Sequence, residues 1–334
     1  MRSGRSLPVA ALIPQSSIDN PSGPAVNRES PPAPILVYDP IAANKRETWL
    51  LMVLFVALLG GLAAAIIFAM GAPIGILGVV GIVLIVYALV SYFLSTSVVL
   101  SISGAHEVTK EQEWEFVRRV ENLSIGAGLP MPRTWVLEDS APNAFATGRD
   151  PNHAHVVVTR GLLDKLEPIE LEGVLAHELS HIGNYDIRVM TVATVLVGLV
   201  ALISDLFLRW TWFGAGSRRG SRDRGGGAAA LVLLLVAIAA AILAPLVAQL
   251  IRLAVSRKRE YLADASGALL SRNPDALARA LEKIASDREP LEAANKATAH
   301  LYIENPLKEH NSFLNGLFNT HPPVEERIRL LRRM

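Results

Sequence analysis

The chain has 334 residues, of which 51% are hydrophobic and only 19% charged, with a net charge of +1. So low a charged fraction argues against an ordinary soluble protein, and near-neutrality gives no case for nucleic-acid binding. Cysteine is absent, which excludes disulfide stapling and fits any compartment.

From Met1 to about Ala43 the chain is rich in Pro and Ser, with Pro31-Pro32-Ala33-Pro34 and little apolar periodicity. A disordered arm is expected there. No apolar stretch follows the early arginines, so a cleaved signal peptide is not expected. Leu50 to Met70 carries no charge, and Ile74 to Leu94 follows after Gly71-Ala72-Pro73. Each is long enough to cross about 30 Å of hydrocarbon. The three-residue link makes them a hairpin, and Gly60, Gly61, Gly71 and Gly75 allow close helix contact.

Thr109 and Gln112 form a predicted capping box for a helix running towards Leu123. Trp135 to Glu138, Asn143 to Thr147 and His155 to Thr159 read as short strands. Turn-prone Asp139 to Pro142 and Gly148 to Asn152 separate them. A further helix is predicted from Pro168 to Ile182, where Ile169, Val174, Leu175, Leu179 and Ile182 recur at helical spacing. Within it stands His177-Glu178-Leu179-Ser180-His181, an H-E-x-x-H motif. Residues four apart on a helix share a face, so both imidazoles can reach one cation. Neutral imidazole is a preferred zinc ligand, and Glu178 is placed to hold a water at the metal and take its proton.

Two more candidate spans follow, Val189 to Leu208 and Ala228 to Ile251. Pro245 in the latter is a kink that transmembrane helices tolerate. Asp205 leaves the former open to being a buried core helix. Two crossings here return the chain to the side of the motif, as a shared metal site on both flanks requires. Lys45 and Arg46 precede the first span, and Lys110, Arg118 and Arg119 follow the second, which places the N-terminus and the catalytic part in the cytoplasm. The loop with Arg209, Arg218, Arg219, Arg222 and Arg224 runs against this rule, so the second hairpin either crosses despite it or enters the bilayer only partly. Asn273-Pro274 starts another helix, and a last one begins near Pro322-Pro323, with Glu325 and Glu326 in its first turn and Arg332 and Arg333 in its last.

Catalytic zinc usually takes three protein ligands and leaves one position open. With no Cys, the third ligand must be His, Asp or Glu, and the best candidate is Glu260 in Arg257-Lys258-Arg259-Glu260-Tyr261-Leu262-Ala263-Asp264. Glu260 could equally pair with Arg257 or Lys258 on a solvated face. Asp264, one turn on, could accept a ring N–H from a ligand histidine.

From Ser95 to Met334 the chain resembles membrane-bound zinc metalloproteases of the HtpX kind, related to the CAAX prenyl proteases. The resemblance runs in order through Gly128-Leu129-Pro130-Met131-Pro132, Pro142 to Gly148, Val158 to Leu163, the H-E-x-x-H segment, Arg257 to Asp264, and His321-Pro322-Pro323 through Arg327. It implies one zinc per chain on His177, His181 and Glu260, with Glu178 as general base. It also implies that Asn143-Ala144-Phe145-Ala146, otherwise an ordinary strand, lies beside the cleft and pairs with extended substrate. His321, otherwise a capping residue, is brought towards the metal as an oxyanion donor.

The expected fold is mostly α, of α+β class, with a four-helix transmembrane region and a gluzincin-like metalloprotease domain carrying a small β-sheet. Its parts are an arm (1–45), a first hairpin (46–95), the first catalytic half (96–188), a second hairpin (189–252) and the second catalytic half (253–334). The expected function is zinc-dependent endopeptidase action on damaged or misassembled membrane proteins at the cytoplasmic face of the cell membrane. Alternatives are a CAAX-type prenyl endopeptidase and a non-catalytic membrane chaperone or scaffold. The expected partners are polypeptide substrates and the lipid bilayer, with no nucleic acid.

Overall fold

A computed structural model describes residues 38–69, 73–198, 257–292, 298–304 and 322–334. Helices α1 (Tyr38–Ala69) and α2 (Gly75–Ser103) pack on each other as an antiparallel pair. Met52, Phe55 and Leu59 of α1 and Ala88 of α2 are buried against Val192 and Leu196 of α6 (residues 186–198). The outer faces stay apolar yet uncovered, with Val53, Phe68, Ile82 and Leu94 all exposed. A helix apolar all round is at rest only inside a large core or a membrane. Among the described residues, α2 is the one helix long and apolar enough to cross a bilayer by length and composition.

After this pair comes a four-stranded mixed sheet in the order β1-β2-β4-β3. Strand β1 (His106–Glu107) pairs antiparallel with β2 (Arg133–Leu137), and β2 runs parallel to β4 (Ala154–Thr159). Strand β3 (Ala144–Gly148) runs antiparallel to β4 and forms the other edge. Val156, Val157 and Val158 are all buried because β4 is covered on both faces, where unbroken β-branched runs belong.

Helix α3 (Trp114–Ala127) precedes β2, and the short α4 (Arg160–Lys165) follows β4. Helix α5 (Pro168–Gly183) opens on a reciprocal cap between Glu167 and Glu170, with Pro168 in its first turn. Helices α7 (Arg257–Ser271) and α8 (Pro274–Ser286) pack on it, and α9 (Val324–Leu331) packs on those two. The main core lies between α5, α3, α8 and the inner sheet face, built from Val136, Val156, Val158, Val174, Leu175, Leu277 and Leu281.

The architecture is mostly helical with a small mixed sheet, as expected. The four-helix membrane region is not seen as such: α1, α2 and the buried opening of the third span are described, while residues 199–256 lie outside the described residues, as does most of the arm. Boundaries shift where local signals compete. Gln112 Oε1 accepts from the Thr109 N–H at 2.9 Å, but this closes a turn, and α3 starts only at Trp114 after an uncapped Glu113. Asn273 does cap α8, accepting from the Ala276 N–H at 3.0 Å.

Glycine decides how near α5 and α7 come. A Cβ on Gly267 would lie 2.9 Å from the His177 nitrogen and 3.0 Å from its Cα, against backbone that cannot yield cheaply. Gly267→Ala should therefore destabilise the fold by about 1–3 kcal/mol. Gly126→Ala, whose Cβ would meet only Leu270 Cδ1 at 3.5 Å, should be neutral or stabilising by up to about 1 kcal/mol. Thermal melts of the two variants side by side check this, and equal melting would refute the crowding at the crossing.

Candidate metal centre

His177 and His181 project from one face of α5, with Nε2 atoms 3.1 Å apart and rings edge to face. Across the crossing, α7 supplies Glu260, whose Oε2 lies 3.9 Å from His177 Nε2 and whose Oε1 lies 3.7 Å from His181 Nε2. All three side chains are buried, and one ligand atom from each falls within 4.8 Å of the others. Each imidazole is backed by a carboxylate. Asp264 Oδ1 is 2.9 Å from His177 Nδ1, and Asp186 Oδ2 is 2.9 Å from His181 Nδ1.

That backing sets the tautomers. With His181 Nδ1–H donating to Asp186, and a carboxylate 2.9 Å from His177 Nδ1 favouring the same tautomer there, each Nε2 presents a lone pair, and the two point at one another. Such a pair repels unless a proton or cation lies between. Two nitrogens bound tetrahedrally at 2.0–2.1 Å to one zinc stand about 3.4 Å apart, close to the observed spacing. The donor set, two imidazoles and a carboxylate, also suits that ion.

Burial pulls the His177 imidazole below its ordinary pKa, with Asp264 opposing. Burial acts the same way on His181, but the hydrogen bond to Asp186 and the negative charges of Glu260, Asp186 and Glu178 outweigh it, raising that ring to about 9. Burial also pushes the Glu178 carboxyl up to about 7, against the pull of His181. The Ala146 backbone N–H pulls the same carboxyl down, so Glu178 of α5 faces the outer edge of β3.

Behind the cluster sits Arg327 of α9, fully buried. Its Nε and Nη2 donate to Asp264 Oδ2 and Oδ1 at 2.8 and 2.7 Å, and its Nη1 donates to the Ile303 carbonyl at 3.0 Å. Nη1 also lies 3.6 Å from Glu260 Oε2. Burial would raise the Asp264 carboxyl, but the guanidinium and His177 hold it at about 2. On the other flank Asp186 Oδ1 accepts from Asn44 Nδ2 at 2.6 Å, and Arg259 Nε is 3.4 Å from the same oxygen. Arg259 also pairs with Glu47, so the foot of α1 is tied to the carboxylate that holds His181.

Of the strand residues proposed from sequence, only part faces the cluster. Ala144 and Ala146 turn towards the main core, while Phe145 points to the opposite sheet face and packs edge-on to Tyr302 at 5.0 Å. The Ala144 carbonyl is already engaged by the Ile303 N–H at 3.0 Å, and Asn143 Nδ2 donates to the Glu304 carbonyl at 3.0 Å. The Phe145 side chain and the Asn143 amide are thus occupied by this chain's own segment. His321 lies outside the described residues. Sequence reasoning passed over Asp186, Arg327 and Asn44 as supports. Asp186 had a usable signal, a carboxylate within a turn or so of the second histidine. Arg327 stood in the quoted terminal motif without a role, and nothing local marks Asn44.

Residues 110–334 match the model of Peptidase family M48. The chain is 45% identical over 304 residues to "Protease HtpX homolog" of Dictyoglomus thermophilum, covering 90% of this chain and 96% of that one. It is 45% identical over 306 residues to the Lactobacillus helveticus protein of the same name, covering 90% and 100%. The Ligilactobacillus salivarius protein of that name is 46% identical over 301 residues, covering 90% and 100%. The crystal structure of S. mikatae Ste24p aligns with a TM-score of 0.43 and 17% identity, over 84% of this chain and 61% of that one. The chain is therefore a metallopeptidase, a hydrolase of peptide bonds. It belongs to Peptidase family M48.

Removing Arg327 leaves Asp264 buried without its counter-charge, which costs about 3–5 kcal/mol. Arg327→Met should lower thermal stability on that scale. Arg327→Lys should recover only part, because an ammonium cannot donate to both carboxylate oxygens and to Ile303 with the same fork. Melting curves of the metal-free proteins check it, and full rescue by lysine would mean that charge alone matters.

Proposed function

We propose that this peptidase works with one zinc ion per chain, held by His177, His181 and Glu260 in a gluzincin-like arrangement. It would cut damaged or misassembled membrane proteins at the cytoplasmic face of the cell membrane. The observation that carries the metal assignment is the pair of inward-facing Nε2 atoms 3.1 Å apart, each backed by a carboxylate on its other nitrogen. When bound, zinc supplies a Lewis acid that polarises the scissile carbonyl and lowers the pKa of water towards about 7.

The chain's own groups do the rest. Glu178, neither a ligand nor engaged by Arg327, accepts the proton of the attacking water and passes it to the leaving amine. A carboxyl poised near neutrality suits both transfers. The outer edge of β3 at Ala146 offers backbone groups to an extended substrate, since among the described residues β3 has a neighbour strand only on its β4 side. Ile303 already occupies the edge at Ala144, so the substrate strand lies on the Ala146 side of that point. Asp264 and Asp186 fix the two imidazole rings, and Arg327 fixes Asp264.

The membrane reading rests on α1 and α2, with uncovered apolar faces on both, and on Lys45 and Arg46 at the foot of α1. It makes the protein multi-pass with its N-terminus and active site cytoplasmic. His321 is proposed as oxyanion donor because the segment just after it, through Arg327, folds back onto the cluster.

Glu178→Gln should keep zinc and fold while hydrolysis of a casein-like substrate falls about 10²- to 10⁴-fold. Glu260→Ala should lose zinc, read by elemental analysis. Near wild-type cleavage by the first variant would remove Glu178 as base, and full occupancy in the second would move the third ligand elsewhere. His321→Ala should lower kcat about 10²- to 10³-fold with zinc content and KM little changed. Intact activity with a loss of about 1 kcal/mol in stability would return His321 to capping.

A further inference from the structure

Where α1 and α2 join the rest of the chain, aromatic rings and cations are interleaved. Trp49 of α1 stacks on Tyr92 of α2 at 5.9 Å, and Phe93 meets Tyr92 edge-on at 5.1 Å. The Arg188 guanidinium lies 5.7 Å from the Tyr92 ring centre and 5.1 Å from that of Tyr185. Lys45 Nζ lies 4.3 Å from the Tyr185 ring, and the Arg149 guanidinium 5.6 Å from Phe93. The residues come from four places in the chain: α1, α2, the turn after β3, and the α5-to-α6 turn with the start of α6.

Their level is set by helix arithmetic. From Trp49 to Ala69, and from Phe93 back to Ile74, each helix rises about 30 Å at about 1.5 Å per residue. That is one hydrocarbon thickness from the tip of the pair. The cluster therefore lies at the depth of the headgroups, where Trp and Tyr belts form and lipid phosphates lie. Just inside this level, Leu50, Val53, Leu89 and Val90 are exposed, as acyl chains would require.

Charge argues for a ligand. Arg149 has Asp150 at 3.6 Å, whereas among the described residues neither Lys45 nor Arg188 meets a carboxylate. Arg259 and Arg327, by contrast, are both paired. We propose that Lys45, Arg149 and Arg188 form the headgroup site of an anionic phospholipid in the leaflet on the catalytic side. Its phosphodiester lies among the three cations, and its chains run along the exposed faces of α1 and α2. The proposal rests on reading α1 and α2 as a membrane hairpin. The turn and first helical residues after α5, which carry Tyr185 and Arg188, also carry Asp186, so the headgroup sits on the segment that holds His181.

The test uses the full chain in nanodiscs of phosphatidylcholine with a minority of phosphatidylglycerol, and native mass spectrometry of the lipid retained after stripping. The wild type should retain phosphatidylglycerol well above its bulk share. Lys45→Gln, an exposed change outside the metal site, should cut that enrichment about fivefold, the scale for one basic residue near an anionic surface. Adding Arg188→Gln should cut it further. Arg332→Gln, outside the cluster, should leave it unchanged. Retention at the bulk ratio by the wild type would overturn the headgroup site, as would full enrichment in Lys45→Gln/Arg188→Gln, and either would leave the hairpin standing. A wild type that washes from membranes with alkaline carbonate would overturn the hairpin, and the lipid site with it.

Discussion

The near contact of α5 with α7 is the constraint from which the site follows. Backbone meets backbone at Gly267 and His177, and only at that spacing can Glu260 and Asp264, one turn apart on α7, reach both nitrogens of the His177 ring and Nε2 of His181. A side chain at the crossing would push α7 outward and lengthen every one of these distances together. A second close approach, where Gly173 meets Leu277 of α8, fixes the same face of α5 one turn earlier. Helix α5 is thus held by two close neighbours, and the motif it carries cannot shift along or about its axis without opening the core.

Within that frame the electrostatics are lopsided. Glu178, Glu260, Asp264 and Asp186 are all buried, and Arg327 is the fully buried cation that answers them from α9. Burying carboxylates is tolerable only when they are paired or bound to a metal. Arg327 satisfies Asp264 through both oxygens, and Asn44 and Arg259 share Asp186. The two imidazoles and Glu260 converge on a point between them. A divalent cation held there would relieve the repulsion of the facing lone pairs and offset the buried negative charge, so its binding would also stabilise the fold.

The hairpin and the metal cluster are not separate modules. Asn44 and Glu47, at the foot of α1, reach Asp186 and Arg259, and Asp186 orients His181. The same stretch, the α5-to-α6 turn and the start of α6, carries Tyr185 and Arg188, which stack on each other. Whatever anchors the foot of α1 therefore acts on a residue one hydrogen bond from a metal-facing imidazole. The edge of β3 is arranged with similar economy: the chain's own Ile303 closes it at Ala144, and Glu178 faces it at Ala146.

The local pattern of residues by itself determined the helix that carries His177 and His181, because a four-residue spacing with apolar neighbours at helical intervals admits one geometry. It determined the strand signals around β2, β3 and β4, the cap at Asn273, and the apolar stretches of α1 and α2, each a matter of neighbours in the chain. It left Glu260 balanced between a metal-facing and a solvated role, since nothing within a turn of it separates the two. Asp186 stands five residues after His181, and its use as a support depends on the ring of His181 turning back towards it. The Thr109 box formed its hydrogen bond and still did not start a helix, because packing set the first turn at Trp114. Phe145 alternates with Ala144 and Ala146 by the strand's period of two, but which face meets the metal cluster was settled by where α5 lies. Only the tertiary structure decided these, because they are distances between segments far apart in sequence, fixed by close helix crossings and shared buried charges.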